Sequence, residues 1–121
     1  MIRILGINLL QDKKVYIALT SIYGIGYSKS LQIINKLNID LNLKVSQLSQ
    51  KNISDLRDLL ESGFYKLEGD LKRFTNSNIK RLISINSFRG KRHIKGLPSR
   101  GQRTKTNSKT SRKISLFKYT K

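Results

Sequence analysis

Between Phe88 and Lys105 the chain reads Phe-Arg-Gly-Lys-Arg-His-Ile-Lys-Gly-Leu-Pro-Ser-Arg-Gly-Gln-Arg-Thr-Lys, and every fixed charge in that run is positive. Guanidinium groups grip phosphate oxygens through two parallel N–H bonds, and lysines add mobile point charges, so this spacing suits polyanion binding. Arg89, Lys91, Arg92, His93, Lys95, Arg100, Arg103 and Lys105 are the candidate contacts. Glycines at 90, 96 and 101 keep the backbone thin, which suits threading between the helices of a folded RNA better than lying on a smooth duplex. The charge is also unevenly placed. Residues 71–121 carry 9 Lys and 7 Arg with no acid, while residues 1–70 carry 9 basic and 7 acidic side chains, so +16 of the net +18 lies in the second stretch. Solvated faces ordinarily mix signs, and unbalanced charge this dense repels itself until phosphates neutralise it.

Three other groupings invite a chemical reading. His93 stands among cations, and no serine, carboxylate or lysine is arranged around it as a triad requires. A phosphate, base or stacking contact is the better assignment. Asp55, Asp58 and Glu61 share a predicted helix with Arg57, and a solvated acidic face explains them more simply than a catalytic carboxylate pair. Tyr23-Gly24-Ile25-Gly26 lies between two predicted helices, like the turn of helix-hairpin-helix modules. There, residues such as Gly24 and Gly26 let the backbone approach a phosphate while the next helix offers its first amides. Glycines that merely punctuate a helical hairpin give the same pattern. The absence of cysteine excludes disulfides and thiolate chemistry, and one histidine cannot build a His-rich metal site, so no metal, cofactor or catalytic residue is expected.

The elements that must position these groups are mostly helical. Asp12 can cap a helix with Val15, Ala18, Leu19 and Ile22 on one face, ended by Gly24. Ser28 can cap a second, carrying Leu31, Ile34 and Leu37. Residues 38–48 read as a polar loop anchored by Leu41, Leu43, Val45 and Leu48. Ser49 opens a third helix, with Ile53, Leu56 and Leu60 inward and Gly63 as its stop. Asp70 caps a fourth, from Leu71 to about Ile85, with Phe74, Ile79, Leu82 and Ile83 as its apolar face. A short helical turn fits between Ser87 and Ile94, after which Gly96, Pro98 and Gly101 favour an extended tail. Beyond Ser99 the apolar residues Ile114, Leu116, Phe117 and Tyr119 are too few to offset the entropy of ordering a free tail, so disorder is expected until a partner binds.

With 121 residues and 37% hydrophobic content, the chain can build one small domain if the basic tail stays outside its core. The division expected is a helical body at 1–87 and a basic extension at 88–121, ordered on RNA binding. Its apolar stretches fall far short of the roughly 18 residues of a membrane span, so a soluble chain is expected. Met1-Ile2-Arg3-Ile4-Leu5-Gly6 resembles neither a secretory signal nor an amphipathic presequence, so the protein is expected to work where it is made unless processing has removed a segment. Abundant Ile, Asn and Lys, as in residues 33–39, suggest an AT-rich coding sequence.

Arg89-Gly90-Lys91-Arg92-His93, then Gly96-Leu97-Pro98, then Arg100-Gly101-Gln102-Arg103-Thr104-Lys105-Thr106-Asn107 resembles the signature of the universal small-subunit ribosomal proteins numbered thirteen. Arg3-Ile4-Leu5-Gly6, Tyr23 to Gly26 and Glu68-Gly69-Asp70-Leu71 match further motifs of that family in the same order, so the resemblance covers nearly the whole chain. It implies a mainly α protein, with a helix-two-turns-helix body and a long basic C-terminal tail, in the head of the small subunit. It also implies a structural role on head rRNA, pairing with the small-subunit protein numbered nineteen, an intersubunit bridge to a large-subunit partner, and a tail that reaches the P-site tRNA. On this resemblance Arg89 to His93 and Arg100 to Lys105 engage rRNA, and Lys109, Arg112 and Lys113 face the tRNA. Two features depart from the pattern. Residues 114–119 are partly apolar where bacterial members end in Lys and Arg, which points to a protein neighbour, and Ser87-Phe88 replaces the usual Cys-Tyr. The composition and the Leu82-Ile83-Ser84-Ile85 wording look most like a mitochondrially encoded member, with a plastid or an AT-rich bacterium as alternatives.

Two other classes compete with this one. A DNA repair glycosylase with a related turn would need a nucleophile and a pocket for an extruded base, but this chain begins Met1-Ile2 where such enzymes begin Pro-Glu, and it lacks the cysteines of their zinc finger. A nonspecific DNA compactor would need no particular spacing in residues 100–107.

Overall fold

The computed structural model describes residues 2–118, with side chains described through Lys113. The chain forms two compact units, residues 1–72 and 73–121.

The first unit opens with a hairpin that the sequence reading missed. β1 (Ile2–Ile4) and β2 (Ile7–Leu9) pair antiparallel with Ile2 opposite Leu9 and Ile4 opposite Ile7. The apolar members share one face, where Ile4 and Leu9 are buried, while Arg3 and Asn8 point outward. Two turn residues with φ of 49° and 82°, Leu5 and Gly6, give the doubly left-handed turn that matches strand twist. Leucine in that position is not a turn signal, and strands of three residues leave almost no alternation to detect.

α1 (Val15–Leu19) is shorter than expected, and Asp12 does not cap it. Its N-cap is Lys14, held extended because the Lys13 carbonyl accepts from Val45 N–H and the Leu43 carbonyl accepts from Val15 N–H, each at 3.0 Å. The inward face is as expected: Val15, Ala18, Leu19 and Ile22 are all buried, Ile22 from a run of turns that continues past the helix. α2 (Tyr27–Lys36) begins one residue before Ser28, with Gly26 as its N-cap. It buries Ser30, Ile33 and Ile34, and leaves Leu31 and Leu37 half-buried, so its inward stripe is rotated from the one expected. In the following loop Val45 is fully buried within a turn of 3-10 helix, whereas Leu41 is exposed. α3 (Gln50–Glu61) agrees with the sequence reading: the Ser49 hydroxyl accepts from Asn52 N–H at 3.2 Å, Leu56 and Leu60 are buried, and Gly63 at φ 78° follows its end. These residues, with Ile25, Ile39 and Leu67, form one apolar core.

α4 (Glu68–Ser84) starts earlier than the expected Asp70 cap, because Glu68 is fastened to Tyr23 and Asp70 N–H bonds the Leu67 carbonyl. Asp70 therefore lies in the first turn, where a carboxylate favours the helix dipole. None of its residues is fully buried; Phe74 is exposed, and Ile79, Leu82 and Ile83 are half-buried.

In the second unit Ser87 caps α5 (Phe88–Ile94) as expected, accepting from Gly90 N–H at 3.1 Å while its own hydroxyl donates to the Leu82 carbonyl at 2.8 Å. Gly90 packs so tightly on α4 that a Cβ would overlap the Leu82 carbonyl oxygen and lie 2.8 Å from Ile83 N. Gly96, at φ 64°, ends the helix, and residues 97–108 have no regular structure. The tail is not extended throughout, because α6 (Lys109–Lys118) follows. After Gly101 the sequence has no glycine or proline to interrupt a helix, and the Ser111 hydroxyl ties the start of α6 to the Gly96 carbonyl at 3.1 Å. The apolar side chains of Ile114, Leu116, Phe117 and Tyr119, read as a contact for a protein neighbour, lie outside the described residues.

Candidate nucleic-acid interface

The Tyr23–Gly26 turn belongs to the first unit and the basic signature to the second. At Gly24 φ is 106°, and a Cβ there would lie 2.8 Å from a Leu71 methyl and 3.1 Å from a Leu67 methyl. Gly24 is thus required both by its backbone conformation and by close packing on the start of α4. Gly26 differs: it is exposed, nothing lies within 4 Å of a Cβ built there, and its extended conformation starts α2 without any side-chain cap. The first turn closes through Ser30 N–H to the Gly26 carbonyl at 3.0 Å. The sequence suggested Ser28 as the cap; with Gly26 there instead, no side chain occupies the first amides of α2.

Glu68 fixes the turn from below. Tyr23 N–H donates to Glu68 Oε1, and Glu68 N–H donates to the Tyr23 carbonyl at 2.9 Å, so one residue clasps both sides of the other's backbone. Lys72 Nζ lies 3.3 Å from Glu68 Oε2 and 5.3 Å from the Tyr23 ring centroid. Lys29 Nζ donates to the Gly24 carbonyl at 3.3 Å. The Tyr23 amide, followed by Lys72, holds the Glu68 carboxyl below its ordinary value of 4.5 against a smaller opposing effect of burial. A carboxyl lowered by folding contributes stability above its unfolded value that is lost as pH falls through the folded one. Glu68→Gln should therefore lower the urea midpoint of unfolding at pH 7, and the gap from the parent should close as the pH is taken below 4.5. An equal gap at every pH would show that the charge contributes nothing.

In the second unit, Arg89, Lys91 and Lys95 are exposed on or just after α5, and Arg92 and His93 are half-buried. Arg92 Nε donates to the Pro98 carbonyl at 3.0 Å, so this guanidinium braces the chain after the helix and keeps its terminal nitrogens for another acceptor. His93 contributes its carbonyl to Gly96 N–H at 3.2 Å. Arg100, Arg103 and Lys105 are exposed in the irregular segment, where Arg100 N–H bonds the Gln102 side chain at 3.1 Å. Lys109, Arg112 and Lys113 are exposed along the first half of α6. No carboxylate exists from residue 71 onward to balance any of them. Sequence reading noted Phe88 only as a departure from the family pattern and did not foresee that its ring is 70% exposed at the start of α5, nor the pairing of Glu68 with Tyr23. Glu68 had been visible only as part of a motif, and nothing in a linear pattern says which distant backbone a carboxylate will cap.

Residues 3–110 match the family model described as ribosomal protein S13/S18. The chain belongs to that family. Its relatives include the small ribosomal subunit protein uS13c of Pyropia yezoensis, 51% identical over 112 residues that cover 93% of this chain and 88% of the relative. The uS13c of Cyanophora paradoxa is 48% identical over 112 residues, with the same two coverages. The uS13 of Chlamydia pneumoniae is 52% identical over 108 residues, 89% of this chain and 88% of the relative. This S13 chain is a structural, non-enzymatic ribosomal protein of the small subunit, and membership of the family implies binding to small-subunit rRNA. The DNA-repair and DNA-compacting readings are not supported. Nor is a mitochondrial ribosome: the relatives are chloroplast and bacterial proteins, and the Ile, Asn and Lys bias that suggested an organelle reflects coding composition, which does not separate one organelle from another.

Proposed function

We propose that this S13 protein attaches to the rRNA of the small-subunit head, with the Gly24–Gly26 turn and the cations of residues 89–105 as its phosphate contacts. The observation that carries this reading is the uncapped start of α2 at Gly26, in a chain whose residues 71–121 hold cations and no acid. The turn offers fixed backbone donors, while Arg89, Lys91, Arg92, Lys95, Arg100, Arg103 and Lys105 supply charge from side chains that adjust to the RNA surface. His93, half-buried beside them, joins as a contact to a base or phosphate. Within the extension at 88–121, α5 is already formed, and the irregular residues 97–108 are the part that takes a fixed path on RNA, because self-repulsion among the extension's 12 cations is relieved when phosphates surround them.

Lys109, Arg112 and Lys113, exposed on α6, are the residues we assign to the P-site tRNA. The small-subunit protein numbered nineteen and a large-subunit bridge protein are the protein partners of this reading. The ribosome concerned is that of a plastid, with the bacterial cytoplasm as the alternative; the uS13c relatives at 48 to 51% identity support the first and the chlamydial ones the second. Crosslinking the tagged protein in its native cells and sequencing the attached RNA should give sites concentrated in the head of one small-subunit rRNA, whose sequence names the compartment. Crosslinks scattered over unrelated RNAs would overturn the assignment.

A further inference from the structure

We propose that Phe88 is a stacking platform for an unpaired rRNA base, an assignment that rests on the rRNA-binding reading and specifies one contact within it. Phe88 is the first residue of α5 and is 70% exposed, an unusual place for a ring whose burial would otherwise favour folding. Its position is firmly set. Ser87 on one side is bonded both to Gly90 N–H and to the Leu82 carbonyl, and Gly90 seats the helix directly on the backbone of residues 82–83. The Arg92 guanidinium carbon lies 5.8 Å from the ring centroid, while its Nε is committed to the Pro98 carbonyl, so the cation is held beside the ring and the rest of the ring is left to solvent. Arg89 and Lys91 on the same short helix, and Lys95 just after it, add further positive charge.

Charge decides what the ring meets. A purely apolar protein partner would leave these cations desolvated without counter-charge, whereas an RNA strand supplies phosphates for the cations and a flat π-face for the ring at nucleotide spacing. A paired base in a continuous helix has both faces covered by its neighbours, so the ring must take one that is splayed out. Phe64, exposed to 76%, does not make the same case: it packs edge-on against Tyr65 at 4.9 Å, in a unit whose charges are mixed.

The chain contains no tryptophan, so Phe88→Trp in the full-length protein introduces a single indole at the contact. Titration with head rRNA should quench its fluorescence while affinity stays within a few-fold of the parent. Phe88→Ala and Phe88→Leu should each weaken binding about 10-fold, in the range of one lost base stack. Neither should change the slope of log affinity against log salt, because no phosphate contact is removed. Circular dichroism of each variant should match the parent. An unquenched F88W indole in a chain that still binds, or a Leu variant that binds like the parent, would overturn the stacking contact and leave the rRNA reading standing. Failure of the parent chain itself to bind head rRNA would overturn both.

Discussion

A chain ending at residue 87 should lose on the order of 10³-fold in affinity for head rRNA near 0.1 M salt, and its binding should become far less sensitive to salt. Residues 88–121 carry 12 of the 25 lysines and arginines and none of the acids, so the truncation lowers the net charge from +18 to +6. Each phosphate contact abandoned keeps its counterions on the RNA and removes about 0.7 to 0.9 from the slope of log affinity against log salt. The core of the first unit is formed wholly by residues between Ile4 and Leu67, so its helices should survive the cut, and circular dichroism can show that the loss is one of contacts. Filter binding across a salt series supplies the rest. Unchanged affinity and slope would assign RNA attachment to the body alone and reduce the extension to a bystander.

Gly90→Ala should unseat α5. A methyl group there overlaps the Leu82 carbonyl oxygen and comes within 2.6 Å of the Leu82 carbonyl carbon, and backbone cannot step aside as a flexible side chain would. We expect a local cost of about 3 kcal/mol, the upper part of the range for overpacking, with the Ser87 cap and the Phe88 ring displaced together. Amide exchange in residues 88–96 should accelerate while that of the α3 core is unchanged, and rRNA affinity should fall with every cation of the signature still present. Gly69→Ala is the matched control: nothing lies within 4 Å of its Cβ, and in α4 the change should be neutral or stabilising by up to about 1 kcal/mol. Equal exchange profiles for the two variants would mean that the close approach of α4 and α5 has no energetic weight.

The parts of the molecule that were legible in the sequence are those written in local chemistry. Ser49 and Ser87 cap the helices they precede because a hydroxyl before a helical run bonds an amide three residues on, whatever the rest of the fold does. The inward face of Val15, Ala18, Leu19 and Ile22 was legible for the same reason. What failed was set from a distance. Asp12 lost its helix start because residues 13 to 15 bond to residues 43 and 45, and Asp70 lost its cap because the chain at Glu68 is fixed by Tyr23. The candidate interface divides the same way: its cations were evident from charge alone, but Phe88 as an exposed ring and Gly90 as a packing glycine needed the neighbouring helix.

The clasp between Tyr23 and Glu68 spans 45 residues of chain. During synthesis the glycine turn leaves the exit tunnel well before the residues that hold its shape, and closing so long a loop carries an entropic cost that the core must first offset. The glycine turn is therefore finished only when the first turn of α4 has docked, by which time the body of the protein is folded. A nascent chain cannot hold that turn in shape early, so the turn is among the last parts of the body to settle.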